Sequence, residues 1–326
     1  MSSSVSPRVP ATWSPERQQW ARERLSTEAH NHRTKRYGGR SRQRSRAFLT
    51  LIRLAAWGLR ALGQYERGVR NANALVLRDI ELRFAHLPEA FDGFSILHVS
   101  DPHFDGASGL EQRMLDTLDR RVFDLCVLTG DYRLALHGPI QPAMNALERL
   151  VSGLQTREGI IGVLGNHDGM HMVEPMELMG IRMLVNEAVV LERRAQRLQF
   201  IGTDDVHYYR TARALDSLQA ASDAFTVVLV HSPELCDAAA AAGAALYLCG
   251  HTHAGQICLP GGLPIIVQLS AGHDYYRGVW CHRGMRGVTS SGAGTSGIPI
   301  RFNTRSELLA ITLRRGPHDG RATWAK

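Results

Sequence analysis

The stretch LYLCGHTHAGQ, residues 246–256, contains a short apolar run followed by two histidines that lie between glycines. His251 and His253 are separated by one residue, and Gly250 and Gly255 flank them. Two histidines at this spacing are weak evidence for a metal site by themselves. Their meaning depends on whether other metal-binding residue types occupy comparable positions elsewhere in the chain.

The pattern of an apolar run with a polar end recurs along the chain. Six runs rich in Val, Ile and Leu lack the polar alternation of a half-exposed strand, which predicts buried strands. Their polar ends lie at Asp101, Asp131, Asn166, Asp204, His231 and His251. Helical patterns between several of them cover residues 110–121, 140–154 and 233–243. Alternating strands and helices indicate α/β architecture, in which ligand sites gather beyond the carboxyl ends of the strands.

The last third of the chain departs from this alternation. The segments LPIIVQLS (263–270), RGVTSS (286–291) and SELLAITLRR (306–315) are predicted to be consecutive strands that close a second sheet. No internal sequence repeat accompanies them, so the chain is not expected to form a repeat array.

The charge of the chain is unevenly distributed. Residues 1–70 hold 15 Lys and Arg against 4 Asp and Glu, whereas residues 71–326 hold 23 against 27. The formal net charge of +7 therefore belongs to the N-terminal part, and a length of 326 residues favours one large domain with an appendage. The five cysteines are odd in number and form no Cys-x-x-Cys motif, which predicts reduced thiols and a cytoplasmic location.

The N-terminal part is predicted to be a basic, partly disordered arm over residues 1–70, ahead of a domain over 71–326, and Ser14 followed by Pro15 is a start signal for a short helix within it. Arginines recur every seven residues from Arg46 to Arg67 beside a broad apolar face, which predicts an amphipathic helix at about 46–67. Its apolar stretches are too short to span a bilayer. Three interpretations stay open: attachment to an anionic membrane at its inner face, docking on the domain, or an export signal. Nucleic-acid binding is not expected, since no aromatic interleaving accompanies the charge.

The polar strand ends together form a set of metal-binding residue types. Asp101 and His103 are two residues apart, so an extended segment points both to one side. Asp131 follows a glycine that permits close approach of the backbone, and Asn166 supplies an amide oxygen. With His231, His251 and His253, this set exceeds what one metal ion needs. Two divalent ions about 3.5–4 Å apart are a known device for displacement at phosphorus.

The motifs SDPH, TGD, GNHD, VHS and GHTH, in this order, resemble the calcineurin-like metallophosphoesterase family from about residue 93 to 315. The resemblance implies a four-layer sandwich of two mixed β-sheets packed face to face and flanked by helices. The segment SSGAGTSGIPIRFNTRSELLAITL, residues 290–313, is similar to the YkuE-like branch of that family. This branch includes membrane-associated phosphohydrolases, among them pyrophosphatases that cleave UDP-2,3-diacylglucosamine.

The resemblance also assigns roles to individual residues. One metal would be bound by Asp101, His103 and His253, the other by Asn166, His231 and His251, and Asp131 would bridge both. His167 would contact the phosphoryl oxygen or the leaving group, and Asp168 would orient His167. Arg133 either meets a substrate phosphate or forms a surface ion pair, and both interpretations stay open.

These features lead to the hypothesis of a metal-dependent phosphohydrolase. A hydroxide activated by two metals would attack a phosphoester or pyrophosphate bond. The metals of the family are manganese, iron or zinc, and the hard Asp and Asn oxygens without a thiolate favour manganese. The leading substrate is a membrane lipid precursor such as UDP-2,3-diacylglucosamine, and the alternative is a soluble phosphodiester or a nucleotide. A non-catalytic metal-binding scaffold is less expected, because all seven ligand positions are kept.

Overall fold

The computed structural model describes residues 9–37, 40–41, 50, 54, 56–220, 224–317 and 323–324. The helices are α1 (Pro15–Thr34), α2 (described continuously over 56–61), α3 (Tyr65–Asn73), α4 (Leu110–Leu118), α5 (Gln141–Gly153), α6 (Val173–Leu178), α7 (Ala212–Leu218) and α8 (Cys236–Ala241). Short 3-10 turns lie at Glu89–Phe91, Met170–Met172, Pro233–Leu235, His253–Gly255 and His273–Tyr275.

The strands of the N-terminal half are β1 (Arg36–Tyr37), β2 (Arg40–Ser41), β3 (Val76–Phe84), β4 (Ser95–Val99), β5 (Val122–Phe123), β6 (Leu125–Leu128), β7 (Gln155–Thr156) and β8 (Ile160–Gly162). Those that follow are β9 (Ile181–Met183), β10 (Glu187–Arg193), β11 (Gln196–Gly202), β12 (Phe225–Leu229), β13 (Leu246–Cys249), β14 (Gly278–His282), β15 (Met285–Thr289), β16 (Glu307–Arg315) and β17 (Thr323–Trp324).

Two mixed sheets dominate the architecture. The first has the strand order β17-β3-β16-β4-β6-β8-β9, and the second has the order β10-β11-β12-β13-β15-β14. Strands β4, β6, β8 and β9 run parallel to one another, as do β11, β12, β13 and β15. Antiparallel neighbours lie towards the edges, where β14 pairs with β15 and β10 pairs with β11.

The sheets pack face to face because their strands present apolar side chains on both sides. Ile96 of β4 and Val127 of β6 join Phe200 of β11 and Leu248 of β13 in one buried cluster between the sheets. Neighbouring residues on the same strands point to the opposite face, as alternation along a strand requires. Leu97 of β4 thus packs in the cluster that contains helices α4 and α5. This layering confirms the predicted four-layer α/β sandwich.

The prediction for the last third of the chain was partly wrong. Residues 286–289 do lie in β15 of the second sheet, but 263–270 form no strand and make only an isolated bridge at Pro264. The segment 307–315 forms β16, which joins the first sheet between β3 and β4. The apolar content of this segment correctly predicted a strand. It could not predict the neighbours of that strand in the sheet, because β3 and β4 are distant in sequence.

The N-terminal arm also differs from its prediction. The helix indicated by Ser14 and Pro15 is present but longer than expected, because α1 extends over Pro15–Thr34, and Ser14 caps it by accepting from Arg17 N. Its Trp20 and Ala21 are buried against the domain. The predicted helix at 46–67 ends instead at residue 61, and Gly63, with φ of 65°, separates α2 from α3. Residues 46–49, 51–53 and 55 lie outside the described part, and the boundary at residue 70 stays a prediction.

No helix within the described ranges combines the length and the apolar character that crossing a bilayer requires.

Candidate metal centre

All seven predicted ligand side chains converge at one edge of the two sheets. Each follows the carboxyl end of a strand: Asp101 and His103 after β4, Asp131 after β6, Asn166 after β8, His231 after β12, and His251 and His253 after β13. The carboxyl ends of parallel strands meet at the same edge, which is why residues up to 150 positions apart can meet there. Six of the seven are buried, and His251 is half-buried.

Glycines allow the ligand loops to approach one another. A side chain at Gly165, in the loop after β8, would overlap the carboxylate of Asp131. A side chain at Gly250, immediately before His251, would overlap Ser100 Oγ and the carboxylate of Asp101. The glycines of the GNHD and GHTH motifs are therefore required by close packing of neighbouring loops.

The ligand loops also hold backbone conformations that side chains rarely adopt. Five of the seven ligand residues have positive φ angles between 44° and 71°: Asp101, His103, Asp131, His251 and His253. Such conformations cost on the order of 1–3 kcal/mol each and cluster at functional sites. The surrounding structure holds five of them within one small region, which indicates a site built for binding and not for stability alone.

The side chains form two adjacent groups of donor atoms. In the first, one ligand atom each from Asp101, His103 and His253 lies within 4.8 Å of the others, and His103 Nε2 is 3.2 Å from His253 Nε2. In the second, Asp131, His231 and His251 satisfy the same limit. Asn166 Oδ1 belongs to this second group, at 3.1 Å from His231 Nε2.

Asp131 lies between the two groups. Its Oδ2 is 3.7 Å from His103 Nε2 and 3.4 Å from His231 Nε2, so one oxygen faces both sets of imidazoles. Its other oxygen, Oδ1, accepts a hydrogen bond from His167 N at 2.8 Å, which fixes the carboxylate in place. Asp131 is therefore the one side chain placed to contact a cation in either group.

Backbone carbonyls fix the orientation of the imidazoles. His103 Nδ1 lies 2.9 Å from Arg133 O, His231 Nδ1 lies 2.7 Å from Thr129 O, and His251 Nε2 lies 2.9 Å from Gln268 O. A carbonyl only accepts, so each of these nitrogens carries the proton and leaves the opposite nitrogen with a lone pair towards the centre. This arrangement is the one that holds metal-binding histidines, and the residues present fit two divalent cations.

The electrostatics of the buried groups agree with this donor arrangement. Burial lowers the pKa of His103 to about 4 and lowers the pKa values of His251 and His253 well below the ordinary range. Burial acts in the same direction on His231, but the charge of Asp131 raises the pKa of His231 well above its usual value. His231 is therefore the exception among these imidazoles, because Asp131 favours its protonated form, and metal binding there would release that proton.

The two residues predicted to assist catalysis occupy different environments. His167 lies at the edge of the centre, with Nδ1 2.5 Å from Leu134 O and Nε2 3.9 Å from Asp131 Oδ2. In the described structure Asp168 makes no hydrogen bond to the ring of His167, and the role in orienting it stays a prediction. The carboxylate of Asp168 accepts instead from the backbone N–H groups of Asp131, Tyr132 and Gly165. Asp168 therefore ties together the loops that carry Asp131 and Asn166, while the Leu134 carbonyl orients His167.

Arg133 is buried and only 2 % exposed, which contradicts the predicted alternative of a surface ion pair. Its Nη2 donates to Gly138 O at 3.3 Å, and its Nε has no hydrogen-bond partner among the described residues. The structure thus places the guanidinium beneath the loop 134–138 and not on an open path to the centre. Contact of Arg133 with a substrate phosphate stays a prediction.

Helix α1 contributes contacts to the centre that the sequence did not reveal. Arg24 donates to Asp204 Oδ1 at 2.6 Å and to the carbonyl of Asp168 at 2.8 Å. Trp20 Nε1 donates to the other oxygen of Asp204 at 2.8 Å, and Glu28 accepts from Met170 N at 2.8 Å. The helix therefore holds the loop that carries Asn166 and His167. Sequence separations of 142–184 residues explain why no local pattern predicted these contacts.

A second group of polar and aromatic residues lies beside the ligands. The ring of His207 is 4.2 Å from that of His251, its Nδ1 is 3.0 Å from Glu234 Oε1, and its Nε2 is buried without a partner in the described structure. Further out, Tyr208 packs against Tyr37 of β1, whose hydroxyl is 2.6 Å from His137 Nε2. The arm thus reaches the surroundings of the centre through two elements, α1 and β1.

Comparison with known proteins agrees with this geometry. The profile of the calcineurin-like phosphoesterase superfamily domain matches residues 94–266. Two metallophosphoesterases of Bacillus subtilis (strain 168) are similar at 27% identity: YkoQ, over 66% of this chain and 81% of its own, and YkuE, over 70% and 82%. Phosphodiesterase YaeI of Escherichia coli (strain K12) is 26% identical over 56% of this chain and 68% of its own.

Proposed function

This chain belongs to the calcineurin-like phosphoesterase superfamily, and from that premise we propose that it hydrolyses a phosphodiester or pyrophosphate bond of a substrate presented at a membrane surface. The family and its relatives identify the chain as a metallophosphoesterase of the YkuE-like branch, and the Asp and His groups indicate a divalent two-metal centre. The observation that carries the proposal is the position of Asp131 between the two donor groups.

We propose that the two donor groups are two ligand sets that share one carboxylate. The first site comprises Asp101, His103, His253 and Asp131, and the second comprises Asn166, His231, His251 and Asp131. The spacing of the two histidines in GHTH follows from this assignment, because one turn then supplies an imidazole to each of two neighbouring sites. Hard oxygens with imidazoles and no thiolate favour manganese over zinc.

Two divalent ions bound here would polarise a phosphoryl group and lower the pKa of water. The protein groups around them position the substrate. His167 Nε2 faces the centre, since Nδ1 is engaged with Leu134 O, and we propose that it contacts a phosphoryl oxygen or the leaving group. Asp168 supports the reaction indirectly by fixing the backbone of Asp131 and Gly165.

The substrate class is the less constrained part of the proposal. A membrane lipid precursor such as UDP-2,3-diacylglucosamine is supported by the basic N-terminal arm, which would attract an anionic bilayer. A soluble phosphodiester is the second candidate, and the similarity to a protein named as a phosphodiesterase, YaeI, supports it.

A substrate panel separates these candidates. Full-length protein reconstituted with Mn²⁺ is assayed on UDP-2,3-diacylglucosamine in vesicles, on nucleotides and on bis(p-nitrophenyl) phosphate. We expect kcat/KM for the vesicle-bound lipid to exceed that for the soluble esters by at least roughly 100-fold, because remote binding energy contributes to catalysis. Equal or higher values for soluble esters would favour the second candidate. Protein that binds two metals and hydrolyses none of the panel would instead indicate a scaffold.

A further inference from the structure

The segment that follows the GHTH motif is apolar, exposed and free of charge. Residues 254–272 contain no Asp, Glu, Lys or Arg, in a chain of which 21% of residues are charged. Within it, Leu259, Leu263, Ile265 and Ile266 are 49%, 62%, 58% and 40% exposed. Monomeric soluble proteins rarely expose several large apolar side chains side by side, and such patches mark interaction sites.

This segment is a defined hairpin and not an irregular loop. Leu259 N donates to Leu263 O at 2.8 Å, Gly262 N donates to Leu259 O at 3.0 Å, and Ile265 N donates to Ile257 O at 3.2 Å. Gly261 and Gly262, with φ angles of 87° and 79°, form the turn. The apolar side chains are therefore held outward by a fixed backbone over residues 257–266, here named the apolar hairpin.

The apolar hairpin is anchored beside the metal centre and, through Phe302, to helix α3. Gln268, just after it, accepts from His251 Nε2, and at its base Cys258 N donates to Phe302 O at 2.9 Å. Phe302 in turn packs against Gly68 of α3, the helix that follows α2. Around α2, Leu54, Trp57 and Leu62 are 61%, 70% and 74% exposed. Seven of the nine large apolar side chains exposed in the described part of the chain thus belong to the apolar hairpin or to residues 54–62.

The charges around these segments are mainly positive. Residues 50–73 hold four arginines and a single acidic residue, Glu66. Arg60, Arg67 and Arg70 of this stretch are exposed. Exposed Arg277 lies against the turn of the hairpin at Gly262. An apolar tip with an exposed arginine against its turn matches an anionic lipid bilayer, which takes apolar side chains below its negatively charged headgroups.

We propose that the apolar hairpin inserts into the headgroup region of an anionic lipid bilayer. The proposal goes beyond the membrane contact assigned above to the N-terminal arm, because it adds a docking element within the domain itself. It also places the bilayer next to the loop of His251 and His253. Membrane binding of this kind requires neither metal nor turnover, so it stands or falls separately from the proposed hydrolysis.

Vesicle binding tests this proposal directly. Full-length wild-type protein is sedimented with vesicles of equal parts phosphatidylglycerol and phosphatidylcholine, and with vesicles of phosphatidylcholine alone. We expect binding to the anionic vesicles and a reduction of roughly 10-fold or more in the partition coefficient of the variant Leu263→Asp/Ile265→Asp. The matched control is Leu178→Asp at the end of α6, where an 83% exposed leucine lies outside both segments; it should bind as the wild type does.

Three outcomes would overturn the proposal: no binding of the wild type to anionic vesicles, equal binding by the hairpin variant, or an equal loss with Leu178→Asp. A dimer of the wild type that the hairpin variant dissociates, without lipid binding, would assign the surface to a second copy of the chain. Melting temperatures check that each variant folds, and the milder Leu263→Ser should shift binding in the same direction by a smaller factor.

Discussion

At the scale of single residues, the centre depends on side chains whose spacing has a geometric reason. His251 and His253 are separated by one residue, yet their imidazoles face different donor groups. His251 presents Nδ1 to His231 at 3.1 Å, whereas His253 presents Nε2 to His103 at 3.2 Å. The positive φ of both residues turns the two rings apart within a single turn of backbone.

This geometry predicts that substitution of either histidine weakens the binding of only one of the two metal ions. We expect His251→Ala and His253→Ala each to retain about one tightly bound metal ion per chain, because each substitution removes a ligand from a different group. Turnover of an aryl phosphodiester should fall by at least roughly 100-fold in both variants, because loss of a residue that only supports a metal ligand already costs about 10–100-fold. Metal content by mass spectrometry and steady-state kinetics provide the measurements. Loss of both ions in both variants would contradict the division into two groups.

Arg24 carries a prediction about stability. Its guanidinium and the carboxylate of Asp204 are almost fully buried and 2.6 Å apart. Removal of one partner leaves the other charge buried and unpaired, which costs about 3–5 kcal/mol. Arg24→Met should therefore lower the free energy of unfolding by that amount in urea denaturation. Arg22→Met, at an exposed site on the same helix, should change it by less than about 0.5 kcal/mol, and equal effects of both would disprove the role of the buried pair.

The sequence predicted some of these residues and not others for a physical reason. Asp101, Asp131 and Asn166 each end an apolar run, so the strand pattern alone indicated that they share an edge. Arg24 is an ordinary basic residue in a polar stretch, and nothing local distinguishes it from Arg22. Its role arises only from contacts across 144–180 residues, which a local pattern does not record.

At the scale of elements, helix α1 is the least expected part of the molecule. Its mean composition is polar, and the sequence indicated only a short helix after Ser14 and Pro15 within an arm predicted to be partly disordered. The helix nevertheless docks through Trp20, Arg24 and Glu28 on the loops around the metal centre. Polar contacts of this kind leave no apolar periodicity in the sequence, which explains why amphipathicity failed to predict the docking.

Deletion of the arm tests this view of α1. Removal of residues 1–63 takes away the partners of Asp204 and of Met170 N, so the buried groups left behind lose their hydrogen bonds. We expect the melting temperature to fall by at least roughly 10 °C, and turnover of a soluble aryl phosphodiester to fall with it. A shorter deletion of residues 1–8 is the control and should leave both nearly unchanged. An unaltered melting temperature after the long deletion would show that α1 does not support the centre.

The local sequence pattern predicted the positions of several strands but not how the strands pair. The apolar runs before Asp101, Asp131 and His231 were predicted correctly as strands β4, β6 and β12, because buried strands need continuous apolar residues. The partners of β16 could not be predicted, since parallel pairing with β3 and antiparallel pairing with β4 join segments more than 200 residues apart. The face-to-face arrangement of the two sheets came from the family resemblance and not from periodicity.

At the scale of the whole molecule, buried carboxylates and strained backbone at the metal centre lower the free energy of unfolding. Bound cations would offset this loss of stability. Burial raises the pKa of Asp101 to about 6, and burial with the nearby charge of Asp131 raises the pKa of Asp168 to about 7. Five ligand residues also hold positive φ angles. The sandwich around them, with its core between and outside the sheets, supplies the rigidity that keeps this arrangement in place.

Metal removal should therefore destabilise the entire domain. Each ion present at about 100 times its dissociation constant contributes about 2.7 kcal/mol to folding. We expect treatment with a chelator to lower the melting temperature by roughly 4 °C per ion, and Mn²⁺ to restore it. Calorimetric scans before and after chelation measure the shift. Identical scans would mean that the folded chain binds no cation tightly.

The central claim is that seven side chains hold two cations that share Asp131. The most direct test is the metal content of full-length protein reconstituted with Mn²⁺ and freed of excess ion, compared between the wild type and Asp131→Asn. The account predicts two equivalents per chain in the wild type and a loss of both in the variant, with its melting temperature recorded as a check of folding. One equivalent or none in the wild type, or two equivalents retained by folded Asp131→Asn, would contradict it.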